Sequence, residues 1–123
     1  MGDRAVFGFV AEDHNIIWLY SHWGGDEQLL TMQQAIRVAE PRWGDTEYAT
    51  RIAISHIVGE QWQNETGYGL SVNTFTTPDY PYAYVVDWNR QTVQEVATHE
   101  RDQDYDGPTY TFAQFLALEM ERL

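Results

Sequence analysis

The chain has 123 residues, a length that suits one domain around one core and leaves little room for two. Seven arginines and no lysine stand against 19 Asp and Glu, and the resulting charge of −12 argues against an electrostatic nucleic-acid binder and against docking on an anionic membrane. Hydrophobic residues at 43% and aromatics at 15% argue against a disordered acidic tail, and the absence of cysteine excludes disulfides, thiolate zinc sites and thiol nucleophiles.

Met1-Gly2-Asp3-Arg4 leads into an apolar run too short for a signal-peptide core or a membrane span, so a soluble, cytoplasmic protein is expected. Val6–Val10 and Ile16–Tyr20 are β-branched and aromatic, and the polar residues Glu12 to Asn15 between them predict a hairpin. From Asp26 the apolar spacing becomes three and four (Leu29, Met32, Ile36, Ala39), predicting an amphipathic helix with Asp26 as N-cap and Pro41 just past its end. Asp45 or Thr46 caps a second helix running to about Val58 and ended by Gly59. Its apolar residues cover most of the circumference, so it is expected to be well buried, with His56 a core histidine.

Tyr68, Leu70 and Val72 alternate with Gly69, Ser71 and Asn73, which fits a third strand. Tyr82–Val86 and Thr92–Val96 flank a loop centred on Asn89 and form strands four and five. Glu100 to Asp106 is the most charged stretch and reads as a solvated loop closed by Gly107-Pro108. Thr111-Phe112-Ala113-Gln114 is a capping box opening a last helix with Phe112, Phe115, Leu116 and Leu123 on one side. The order ββ-αα-βββ-α predicts a single α+β domain over 1–123, with a mainly antiparallel sheet of about five strands and helices on one face.

Ser21-His22-Trp23-Gly24-Gly25-Asp26 joins a strand end to a helix start, where successive N–H groups can cradle an anion. Asp26 as cap would use the same donors, so a tight turn capped by its own aspartate is the plainer expectation; His22 and Trp23 either line a pocket or pack as a half-buried pair. Arg37, Arg42 and Arg51 all belong to the helical pair or its connector, and Arg51, among apolar neighbours from Tyr48 to Ile54, needs a partner. An internal ion pair is the plain choice, and a clamp for a phosphate or carboxylate ligand is the alternative.

Asp102-Gln103-Asp104-Tyr105-Asp106-Gly107 repeats the first half of a calcium loop, but Ala113 stands where the bidentate glutamate belongs. Asp102, Asp104 and Asp106 are therefore weak metal candidates at most, and no cofactor is expected. The sequence lacks HExxH, GxSxG, GxxxxGK[ST] and GxGxxG, and the histidines at 14, 22, 56 and 99 have no metal-ligand spacing. Catalysis is not expected; a metal-assisted hydrolase using His22 or His56 with nearby carboxylates is the least favoured alternative.

Leu19-Tyr20-Ser21-His22-Trp23-Gly24-Gly25, followed by Arg42-Trp43-Gly44-Asp45 and Tyr48-Ala49-Thr50-Arg51-Ile52, resembles a set of small accessory proteins encoded by tailed phages of actinobacteria. The resemblance covers roughly the first half of the chain. It implies a context, a protein made inside a bacterial host for host takeover or anti-defence, and it carries no catalytic or binding residue.

Two functional expectations follow. The first is a non-catalytic protein that binds a host protein with a basic surface, offering an acidic face of Glu100, Asp102, Asp104 and Asp106. The second is a small-molecule binder that sequesters a nucleotide signal through His22, Trp23, Gly24, Gly25, Arg42, Trp43 and Arg51. A symmetric homo-oligomer would account for the surplus of aromatic residues.

Overall fold

In the computed structural model, residues 2–98 and 106–119 are described. Strands β1 (Ala5–Val10) and β2 (Ile16–Ser21) form the N-terminal hairpin, and helices α1 (Gln28–Val38) and α2 (Thr46–Val58) follow. Then come β3 (Tyr68–Val72), β4 (Tyr82–Asp87), β5 (Thr92–Ala97), β6 (Asp106–Thr111) and the single-turn helix α3 (Phe112–Leu116). No helix among the described residues is long and apolar enough to cross a membrane.

The α+β class holds, but the sheet has six strands in the order β3-β2-β1-β4-β5-β6 and is mixed. The sixth strand replaces the end of the expected acidic loop: Asp106-Gly107-Pro108 carries strand-breaking residues, yet Pro108 is tolerated because β6 is an edge strand, paired only with β5. The parallel element is the β1–β4 ladder, with Phe7 opposite Tyr84 and Phe9 opposite Val86. It arises because two antiparallel units, β3-β2-β1 from the first part of the chain and β4-β5-β6 from the last, join side by side through β1 and β4. Residue-level alternation shows which face of a strand is buried and is blind to which neighbour it will take.

The pleat sorts the side chains onto two faces. Phe7, Phe9, Leu19, Tyr84, Val86 and Val93 meet the buried stripe Leu29, Met32, Ala35, Ile36 and Ala39 of α1, together with Ala49 and Ala53 of α2 and Phe112 and Phe115. The opposite face holds Val6, Trp18, Ala83 and Val85, partly covered by Phe75 from the 73–81 connection, whose ring lies 4.7 Å from that of Trp18. Gly8 makes that arrangement possible, because a Cβ there would stand 2.9 Å from the Trp18 ring and 3.0 Å from Val85.

Local chemistry fixes the helix ends. The Asp45 side chain accepts the Tyr48 N–H at 3.2 Å to cap α2, and Gly59 follows with φ of 57°. Thr111 and Gln114 form the reciprocal capping box of α3. Asp26 is not the N-cap of α1: it lies inside a 3-10 turn, Gly25–Glu27, and α1 begins at Gln28 without a side-chain cap. Buried polar side chains tie the layers together. Gln33 of α1 donates to the carbonyls of Phe115 and Leu118 at 3.0 and 2.9 Å, and the Trp88 indole donates to Thr50 of α2 at 2.9 Å.

α2 is less buried than its composition suggests. Thr46, Ala49, Thr50 and Ala53 face the core, Ile52, Ile54, Ile57 and Val58 are half-covered, and Tyr48 and His56 are exposed. Small residues fill the contact with α1, so the bulky ones are pushed to its flanks. His56 is thus a surface residue, correcting its expected place in the core.

Candidate functional site

The strand-to-helix junction at 21–26 is filled by the chain itself. Gly24 adopts φ of 78°, which turns the backbone so that Gly25 N–H and Asp26 N–H point toward the N-terminal segment. The Asp3 carbonyl accepts from Gly25 at 2.8 Å, and the Asp3 carboxylate accepts from Asp26 N–H at 2.9 Å and from the Tyr80 hydroxyl at 2.5 Å. Of the junction's donors, the Gly25 N–H is thus taken by the Asp3 carbonyl and the Asp26 N–H by the Asp3 carboxylate, 23 residues upstream, where an external anion was the alternative expectation. Asp3 is held below the usual carboxylate range, chiefly by the Tyr80 hydrogen bond, and Tyr80 is pushed up to about 12 by the same bond. Next to it, Arg4 grips Asp79 through its main-chain N–H at 2.7 Å and its guanidinium at 2.9 Å, holding that carboxyl down to about 2.

The remaining nucleotide-binding candidates are dispersed. His22 and Trp23 are exposed and meet the half-buried Tyr20 and Tyr68: the Tyr20 hydroxyl is 3.1 Å from His22 Nδ1, and the Trp23 ring packs edgewise on His22 and Tyr68 and lies over Gly67. Trp43 is a packing residue, its indole donating to the Ile36 carbonyl at 2.9 Å and its ring against Phe112. Arg42 lies 5.2 Å over the Tyr48 ring, a cation–π contact at the surface. Arg37 donates to the Leu116 carbonyl and Arg51 to the Ser55 hydroxyl, and neither forms an ion pair among the described residues. Among the described residues no three His, Asp or Glu side chains gather as a metal site. Glu100, Asp102 and Asp104 of the expected acidic face lie outside the described residues, and of Asp106 only its place at the start of β6 is described.

The prominent concave surface lies elsewhere, between α2 and the end of the sheet carrying β2 and β3. It is a groove of about 640 Å³ floored by Ile17 and Leu70, walled by Thr50, Arg51, Ile54 and Ser55, and closed at one end by Glu12 and Asp13. A smaller hollow of about 310 Å³ continues from Ile54 and Ser55 past Val58 to Trp62. Along this face Leu70 is 66% exposed, Val72 57% and Trp62 72%, a concentration of apolar surface that the helices leave bare because α1 and α2 do not extend over β3. Arg51 is the cation of the groove and has no ion pair among the described residues, whereas Glu12, Asp13 and Glu47 make the opposite end acidic.

Of this groove, Arg51 is legible in the sequence as a cation among apolar residues, and its floor of Ile17 and Leu70 is not. The alternation of Tyr68, Leu70 and Val72 announces a strand but does not say whether a helix covers its apolar side. Comparison with protein-family models, curated proteins and solved structures finds no match for this chain.

Proposed function

We propose that this protein is a non-catalytic interaction module, a phage-encoded accessory protein that works in the cytoplasm of a bacterial host by binding and modulating a host protein. The observation that carries the reading is the open apolar groove between α2 and β3, with Leu70, Val72 and Trp62 bare at its margin. Its acidic end at Glu12, Asp13 and Glu47, within a chain of charge −12, suits a partner whose contact surface is basic. The segment carrying Glu100, Asp102, Asp104 and Asp106 adds to that field and steers the encounter.

The test is retention of a host protein from an actinobacterial lysate by the tagged chain at low salt, repeated with Ser55→Arg, which fills the groove from an exposed position, and with Asp102, Asp104 and Asp106 changed to Asn. Loss of the same partner in Ser55→Arg, with slower association in the Asn variant, is expected. A partner held equally by both variants would overturn the reading.

A nucleotide in the same groove is the second reading, favoured by Arg51, which has no ion pair among the described residues, on the wall of a cavity large enough for one. Thermal shift with a nucleotide panel, repeated on Arg51→Ala, decides it: a shift that vanishes in the variant supports it, and no shift with the native chain dismisses it.

A further inference from the structure

The two edges of the sheet are built differently. β6 begins with an acid, carries Pro108, and pairs with β5 through an irregular register between Gln94 and Val96, each a device that discourages further pairing. β3 has none of these. Its five residues, Tyr68-Gly69-Leu70-Ser71-Val72, are uncharged, lack proline and pair with β2 in unbroken register. They lie in a run from Thr66 to Pro78 without a charged residue, unusual in a chain that is 21% charged.

His22 N–H donates to the Gly67 carbonyl and Asn73 N–H to the Ile16 carbonyl, so in the antiparallel alternation Gly69 and Ser71 also face β2. The main-chain groups of Tyr68, Leu70 and Val72 therefore point outward. The same three residues share the helix-side face of the sheet, where Leu70 and Val72 are bare. Among the described residues, one short strand thus leaves both its backbone edge and its apolar side chains without cover.

We infer that β3 pairs antiparallel with β3 of a second copy of this chain, about a two-fold axis at Leu70, giving a dimer with one continuous sheet. Leu70 is the midpoint of the strand, so this register keeps the whole ladder: Leu70 faces Leu70 of the copy and Tyr68 faces its Val72, each a hydrogen-bonded pair. Because β3 bears no charge, self-pairing sets no like charges opposite one another, the usual obstacle for so acidic a protein. A ladder of this length alone falls short of the roughly 1,000 Å² of a stable interface, so the interface needs the exposed Leu70 and Val72 side chains to be covered as well. The groove then becomes a trough, its floor extended by the copy's β3 and β2 and its far wall formed by the copy's α2. The inference goes beyond the proposed partner binding and stands without it.

Electrostatics separates the two. Docking of a basic partner weakens with salt, whereas association of two chains of charge −12 through an uncharged strand strengthens as salt screens their repulsion. Sedimentation of the full chain from about 1 to 100 μM is expected to show the 14.3 kDa monomer giving way to a species of twice that mass. The dimer should tighten at least roughly threefold between about 0.02 and 0.5 M NaCl. Leu70→Lys, at an exposed position, should abolish it although it lowers the net negative charge, while Thr109→Lys on β6 should not, with circular dichroism and the thermal midpoint confirming that both variants fold.

Leu70→Cys, in a chain with no other cysteine, should cross-link to its copy through a short bifunctional maleimide, which spans a hydrogen-bonded pair with Cα atoms about 5.5 Å apart. Thr109→Cys should not. A chain that stays monomeric at every concentration and salt would overturn the inference, as would a dimer that survives Leu70→Lys. A monomer that nonetheless retains a host protein would overturn it while leaving the proposed function standing.

Discussion

Asp3 joins three parts of the fold, and its removal has a calculable cost. Its carboxylate accepts from Asp26 N–H and from the Tyr80 hydroxyl, while its carbonyl independently accepts from Gly25, so Asp3→Ala deletes the first two bonds and keeps the third. Losing a carboxylate from the start of a helical turn costs about 1 kcal/mol. A hydrogen bond to a charged acceptor is worth about 1.5–3 kcal/mol when shielded, and the partial exposure of this one brings it nearer 1. The expected loss is about 2 kcal/mol, roughly 5–10 °C in midpoint for a domain of this size. Urea unfolding followed by tryptophan fluorescence measures it. A double-mutant cycle with Tyr80→Phe should return a coupling of about 1 kcal/mol, since only the shared bond is lost twice. The absorbance titration offers an independent reading: the phenol near pH 12 identified by its disappearance in Tyr80→Phe should move toward 10 in Asp3→Ala. A stability loss under about 0.5 kcal/mol together with an unmoved phenol would refute the view that Asp3 fills the junction.

Thr50→Val should cost about 1–3 kcal/mol in chemical denaturation because it strands the buried Trp88 indole N–H, whereas Thr50→Ser, which keeps the hydroxyl, should lose much less. Gln28 is buried with neither side-chain amide atom hydrogen-bonded among the described residues, so Gln28→Leu should stabilise the fold by about 1 kcal/mol in the same assay. Asp79 has a folded value of about 2 against 3.8, so its contribution is complete above pH 3.8 and is lost as pH falls through 2; Asp79→Asn should flatten the acid limb of the stability curve in that window. Tyr80 is raised from 10.0 to about 12, so its contribution is complete below pH 10 and is lost as pH rises through 12, and Tyr80→Phe should remove that alkaline dependence.

The elements carried by short-range chemistry were legible in the sequence. The β1–β2 hairpin, α2 with its Asp45 cap and Gly59 stop, and the Thr111–Gln114 capping box follow from side chains acting on backbone within a few residues. What depended on distant partners was not. Asp26 looked like a cap because nothing near it announces Asp3, and β6 was hidden behind Pro108, which only an edge position excuses. Apolar count made α2 look buried, although helix packing selected Ala49 and Ala53 and left larger residues at the margin. The same limit applies to the candidate site: Arg51 stood out as a cation among apolar residues, but the floor of Ile17 and Leu70 comes from strands on either side of the helical pair.

The parallel β1–β4 ladder also bears on how the chain folds. Each neighbouring hairpin closes over a short loop and can form within microseconds, whereas β1 meets β4 only after both helices and β3 have been gathered between them, the adjoining Arg4–Asp79 contact spanning 75 residues. The chain is therefore two contiguous halves, the first itself closed by the long-range β2–β3 ladder, meeting along a late seam stitched by Gln33 to the end of α3, Trp43 to Phe112 and Thr50 to Trp88. The exposed Thr76–Thr77 stretch between the halves belongs to neither ladder. A break there would leave each half with its own antiparallel unit and turn the seam into a recognition surface between two fragments.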